Sequence, residues 1–158
     1  MRNKSGFTII ELMVVIAIIS ILAALAVPNF FAWRPKRQLS AATKDVFAVM
    51  QYARSRALKD NVSVGLLFNR ANETYTVFLD NGAGANAGNG DLDGDEPTLK
   101  RGTMPAGVDP ISTTLTADKV LFDSRGLLSN AGGTVSLKNS LNVTKGIEVI
   151  RTGNSRIL

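Results

Sequence analysis

Lys4 to Phe30 reads KSGFTIIELMVVIAIISILAALAVPNF, and the reading of this stretch decides the fold. From Phe7 to Val27 only Thr8, Glu11 and Ser20 carry polar side chains. At about 1.5 Å rise per residue, a helix of this length spans the roughly 30 Å hydrocarbon layer of a bilayer. Glu11 is the anomaly. A carboxylate inside hydrocarbon is strongly disfavoured, and an ionisable residue there marks a function by default. Something must pair with it or use it.

Three readings of this terminus remain open, two from the residues alone and one from a resemblance. An ordinary secretory signal has a basic start, an apolar core of about 7–15 residues and a small-residue cleavage site. Arg2 and Lys4 supply the basic start and Ala23, Ala24 and Ala26 are small, but the core is too long. An uncleaved anchor is the second reading. The third is a short leader, cut ahead of an apolar helix that stays on the protein.

The stretch GFTIIELMVVIAIISILAALAVPNF closely resembles the leader and helix of type IV pilins and type II secretion pseudopilins. The resemblance implies that a prepilin peptidase cuts after Gly6 and methylates the new N-terminal residue, Phe7. Glu11 then becomes the fifth residue of the mature chain and Pro28 the twenty-second, both familiar positions in that family. It also implies a cytoplasmic N-terminus and a periplasmic domain. Charge alone gives no orientation, because Arg34, Lys36 and Arg37 after the helix balance Arg2 and Lys4 before it. In a filament of such helices, Glu11 of one subunit can approach the Phe7 amine of a neighbour. Pairing offsets the burial of each charge and selects one axial register.

The whole chain has 158 residues, a net charge of +5, no Cys and no His. Without Cys there is no disulfide framework and no zinc–sulfur site. Without His the commonest general base is missing. No nucleophile elbow or phosphate-binding Gly loop is present, so the chain is read as a substrate of processing and not as an enzyme.

Val27-Pro28 is expected to kink or loosen the helix, and Pro35 to offer a second break. Phe30, Phe31 and Trp33 suit a membrane-interface belt. Leu39, Ala42, Val46, Val49, Met50, Ala53 and Ala57 recur at helical spacing, which predicts an amphipathic helix over 39–60 ended by Asp60-Asn61. Strands are expected at Val62–Phe68, Thr74–Leu79, Lys119–Asp123, Thr134–Leu137 and Gly146–Arg151, with a hairpin turn at Asn69–Glu73. Turns without intervening helices argue for antiparallel sheets. The organisation is thus a leader at 1–6, a spanning or filament-core helix at 7–28, its soluble half at 29–60, and a β-rich domain at 61–158. The class is α+β, a long N-terminal helix packed at its C-terminal half on a small antiparallel β domain. QYARSRALKDNVSVGLLF, FDSRGLLSNAGGTVSL and GIEVIRTGNSRI are similar to segments of the minor pseudopilin H and fimbrial-biogenesis protein T family.

Residues 80–97 form a long Gly/Asn/Asp loop. Asp91, Asp93 and Asp95 alternate in it, a spacing that can converge on calcium, though Glu96 and Gly102 depart from an EF-hand pattern. The plainer reading is a solvated acidic loop with no cofactor. Arg54 and Arg56 read as a solvated helix face, with nucleic-acid contact as the alternative. Some T-type relatives resemble DNA receptors with a basic C-terminal edge. Here that edge offers Arg151 and Arg156, with Lys138 and Lys145 as further candidates if the fold gathers them, and the attraction would be nonspecific.

The resemblance implies a structural filament subunit, first for type II secretion, otherwise a minor pilin of a type IV pilus serving adhesion, motility or DNA uptake. Its partners would be the peptidase, other pilins, an inner-membrane assembly platform and membrane lipid. A membrane-anchored binding module that never polymerises is the third possibility.

Overall fold

The computed structural model describes residues 6–82, 88–94 and 96–158, without the side chains of residues 28, 29, 32 and 110–112. Arg2 and Lys4 of the leader, and Asp95 of the acidic loop, lie outside the described residues. Among the described residues, one helix, α1 (Ile9–Asp60), comes first and eight strands follow. Two compact units divide it, Met1–Arg34 and Pro35–Leu158.

In the first unit, Ile9–Val27 is long and apolar enough to cross a membrane, and none of it is buried within the chain. Ser20 returns its hydroxyl to the Ile16 carbonyl at 2.7 Å, so its polarity is spent inside the helix. The break expected at Pro35 is not made. Residues on both sides of Pro28 and Pro35 remain helical within the 52 residues of α1. A proline removes one donor and crowds one turn, while the flanking turns of so long a helix keep their own hydrogen bonds.

In the second unit, Leu39, Ala42, Val46, Val49, Met50, Ala53 and Ala57 are all buried, as their spacing predicts. They pack against two antiparallel sheets. The first has the order β3-β2-β1-β5, from Thr98–Thr103, Thr74–Asp80, Ser63–Asn69 and Lys119–Phe122. The second has the order β4-β6-β7-β8, from Val108–Thr113, Gly133–Asn139, Thr144–Val149 and Ser155–Ile157. Val64, Leu66, Val77, Val120 and Phe122 from one sheet and Val135, Leu137, Ile147 and Val149 from the other join the helix in one apolar cluster. The expected hairpin is present: Asn69 pairs with Thr74, and the Asn69 side chain accepts the Asn72 N–H at 3.1 Å.

Five strands were legible within a few residues, and β3, β4 and β8 were not. All three hold edge or near-edge positions where one side of the strand meets solvent. β3 reads TLKRGT and is mostly exposed, β4 contains Pro110, and β8 has three residues. Edge strands carry charge, proline and short length because these blunt unwanted pairing, and the same features erase the apolar alternation that marks a strand.

The acidic loop is more tightly held than a solvated loop. β2 turns Tyr75 and Val77 toward the helix and Thr76, Phe78 and Asp80 to the other face, and both sets are buried. Phe78 lies across Gly65 of β1, where a Cβ would overlap the ring. Asp80, 2% exposed, accepts the backbone N–H groups of Gly88 and Gly90, each at 2.7 Å. Glu96, 7% exposed, accepts those of Gly82 and Asp93, each at 3.1 Å. The two carboxylates thus pin the described part of the loop over the outer face of the first sheet. Asp80→Ala leaves two amides without their acceptor, a change worth about 1–3 kcal/mol. The expected result is a lower Tm with faster amide hydrogen exchange at Gly88 and Gly90, and unchanged exchange in β6 and β7.

Candidate assembly interface

The first described residues form a helix cap. Thr8 precedes α1 and Glu11 stands three residues later. The Thr8 N–H and hydroxyl both donate to Glu11 Oε2, at 3.0 and 2.9 Å, and the Glu11 N–H donates to the Thr8 hydroxyl at 3.3 Å. This reciprocal arrangement is a capping box, which satisfies amides that a helix start leaves open and sets a negative charge at the positive end of the helix dipole. Gly6 and Phe7 are exposed immediately before it, with 79% of Phe7 accessible.

The second feature was misread in the sequence. Arg54 is not part of a solvated face. Its guanidinium donates to the Gly126 carbonyl at 3.1 Å, to Asn154 Oδ1 at 2.7 Å and to the Thr152 carbonyl at 3.3 Å. One side chain of α1 therefore holds the turn after β5 and the turn between β7 and β8. Gly153, at φ +78°, faces the Gly126 carbonyl so closely that a Cβ there would overlap it. The Ala-Arg-Ser, Ser-Arg-Gly and Thr-Gly-Asn segments, distant in sequence, meet here. Arg56 is placed differently, in a 2.7 Å ion pair with Asp60 one turn on.

Asp123 shapes the first of these turns. Burial alone would raise its carboxyl; donation by the Arg125 side chain and by the Leu127 and Arg125 N–H groups outweighs burial and holds the carboxyl below its usual value. A cleft of about 270 Å³ runs beside α1, lined by Asp45, Val46, Tyr75, Lys100 and Met104. Burial, then the Asp45 carboxylate, pushes the Tyr75 hydroxyl up, so it remains a protonated donor at neutral pH.

Of the calcium candidates, Asp91 and Asp93 are engaged by protein donors. Lys119 reaches Asp91 Oδ1 at 2.8 Å and the Asn89 carbonyl at 3.4 Å, placing its ammonium among the loop oxygens. Asp93 accepts the Asn89 amide at 3.0 Å. Among the described residues no three acidic, His or Cys side chains converge on one point.

The basic C-terminal edge is divided. Arg156 is ion-paired with Glu148, its register partner across β7 and β8. Lys145 shares the inward face with Leu137 and Ile147 and donates to Ser40 of α1 at 3.3 Å. Lys138 lies on the opposite face of that sheet, in register with Asp109. Arg151 is exposed and gives its carbonyl to the Leu128 N–H at 3.0 Å. Alternation along the strands sends the two lysines to different sides, so the fold does not gather them.

An exposed apolar helix with a capped glutamate, continued into a helix packed on antiparallel sheets, defines a pilin-like protein. The profile described as "Type II transport protein GspH" matches residues 42–153, and that of the "Prokaryotic N-terminal methylation motif" matches residues 1–27. The chain belongs to the GspH family. The fold resembles the type IV minor pilin FimU of Pseudomonas aeruginosa, with TM-score 0.58 and 15% identity over 80% of this chain and 92% of that one. It also resembles the minor pseudopilin EpsH of Vibrio cholerae, with TM-score 0.57 and 12% identity over 77% and 96%. In sequence, the type IV wide pilus major component PilA4 of Thermus thermophilus is 35% identical over 49% of this chain and 66% of its own length. A fimbrial protein of Pseudomonas aeruginosa is 42% identical over 37% and 38%. These matches span less than two thirds of those two relatives. The pilin-like protein PilA1 of Thermus thermophilus is 26% identical over 98% of this chain and 99% of its own.

Arg54→Lys keeps the charge but loses the planar fork that reaches three acceptors. A fall of about 1–3 kcal/mol is expected by urea unfolding, and Gly153→Ala should behave alike. Stability from Asp123 is present above the carboxyl's unfolded value of 3.8 and lost as pH falls through its lower folded value. Asp123→Asn should therefore flatten the acid limb of the stability–pH curve, read by thermal melts from pH 2 to pH 6.

Proposed function

We propose that the chain is a minor structural subunit of a filament assembled from the bacterial inner membrane, cut between Gly6 and Phe7 by a prepilin peptidase and methylated at Phe7. The observation that carries this reading is the 19-residue apolar run Ile9–Val27, without cover in its own chain, behind a terminus that fits the N-terminal methylation motif. Lipid holds the run before assembly, and the helices of other pilins replace lipid afterwards. Because lipid already solvates such a helix well, extraction needs an external motor, supplied by an inner-membrane assembly platform. The β-rich unit is periplasmic in this reading.

The capping box gives Glu11 a specific role. Thr8 engages Oε2, and Oε1 accepts nothing among the described residues. That second oxygen is open to the Phe7 amine of a neighbour, so cap and register pair are compatible within one carboxylate. Pro28 supplies a point where the filament-core helix can loosen as neighbours pack, since the Ala24 carbonyl has no proline N–H to accept.

The output assigned first is type II protein secretion, supported by the GspH profile across residues 42–153. A type IV pilus is the second reading, favoured by the 35% identity to a wide-pilus component. DNA contact through Arg151 and Arg156 gains no support from the geometry of that edge. Calcium in the acidic loop would have to displace the Lys119 ammonium from Asp91.

Protein from native membranes should begin at Phe7 and carry one added methyl, by intact mass and N-terminal sequencing; a chain starting at Met1 sinks the filament reading. Glu11→Val should be processed yet absent from sheared filaments. Deletion of the gene should abolish export of folded proteins and leave surface pili; the reverse pattern moves the subunit to a pilus.

A further inference from the structure

Eight asparagines of the second unit fall into two groups. Asn69, Asn89, Asn130, Asn139 and Asn154 use their side chains as hydrogen-bond partners that build turns and edges. None of these five has Ser or Thr two residues later. Asn61, Asn72 and Asn142 do, in Asn61-Val62-Ser63, Asn72-Glu73-Thr74 and Asn142-Val143-Thr144. All three are exposed, and none of their side-chain amides has a hydrogen-bond partner among the described residues. In each case the hydroxyl residue is the first of a strand, Ser63 of β1, Thr74 of β2 and Thr144 of β7. Asn81 belongs to neither group. A further such triplet, Asn3-Lys4-Ser5, lies in the leader.

Turn chemistry explains part of this. Asn61 and Asn142 sit at φ +54° and +61°, a region asparagine tolerates well. It does not explain Asn72, whose φ is not positive, nor the hydroxyl two positions on in all three turns. Asn-x-Ser/Thr on an exposed turn, with a free amide, is the acceptor pattern for N-linked sugar. We propose that Asn61, Asn72 and Asn142 are glycan acceptor sites, with Asn142 occupied first. Asn142 leads because Leu141, Val143 and Thr144 beside it are also exposed, whereas Ser63 and Thr74 are half-buried.

The donor is a lipid-diphosphate-linked oligosaccharide. A bond forms between the asparagine Nδ2 and the anomeric carbon of the sugar. The bond from that carbon to the diphosphate oxygen breaks, the lipid diphosphate leaves, and the amide gives up one proton. The three turns lie off the buried face of α1 and off the apolar cluster, so a bulky polar group there disturbs no packing. The inference rests on the reading that places the β-rich unit on the far side of the membrane from the leader.

The test is peptide fragmentation and intact mass of full-length protein from its native membranes, beside Ser63→Ala, Thr74→Ala and Thr144→Ala variants made in the same host. These variants keep every asparagine and spare the left-handed turns at Asn61 and Asn142. The expected result is sugar mass localised to the asparagine side chains, Asn142 most fully, and selective loss of the Asn142 sugar in Thr144→Ala. Bare asparagines at all three turns overturn the proposal, as does sugar found only on Ser or Thr hydroxyls. The same spectra read the N-terminus: a chain beginning at Phe7 with bare asparagines removes the glycan proposal alone, and one beginning at Met1 removes the filament reading.

Discussion

Nineteen residues of α1 have no cover inside their own chain, and the rest of the protein is arranged around that fact. Ile9–Val27 is exposed throughout, with only Glu11 and Ser20 as polar interruptions. So large an apolar surface is not tolerated in water and requires lipid or other helices. Both polar side chains have a local partner, Ser20 in the Ile16 carbonyl and Glu11, through Oε2, in Thr8. The capping box answers the puzzle of a carboxylate in an apolar run: the charge sits in the first turn, hydrogen-bonded, at the favourable end of the helix dipole.

The second unit turns the same helix into a scaffold. Its apolar stripe sets both sheets, and one polar side chain on its flank, Arg54, ties down two turns that are 72 and 98 or more residues away in sequence. Buried glycines make this possible, since the Gly126 carbonyl and Gly153 approach too closely for any side chain. Asp80 and Glu96 do equivalent work on the other face of the first sheet, gathering loop amides that would otherwise be unpaired.

The sheet edges are closed to growth. β3 carries Lys100 and Arg101, β4 carries Pro110 and a register shift, and β8 is three residues long. The free side of β5 is taken by Asn130 and by the bridge from Phe122 to Leu128. Strand-to-strand polymerisation is thereby discouraged at each edge. A subunit built this way is suited to associate through its helix, in keeping with the exposure of that helix and the protection of its sheets.

By itself the sequence determined the features whose physics is local. A long apolar run, a helical stripe from Leu39 to Ala57 and strands of β-branched residues all follow from spacing of a few residues. It failed where meaning depends on distant partners. Arg54 looks like any helix-surface cation until Gly126, Thr152 and Asn154 fold onto it. Asp80 and Glu96 look like loop acids until amides close around them. Lys138 and Lys145 are candidates for one patch only if the fold gathers them, and strand alternation parts them. Whether a charge is solvated, buried or paired is decided by which chain segments meet, and only the tertiary structure sets that.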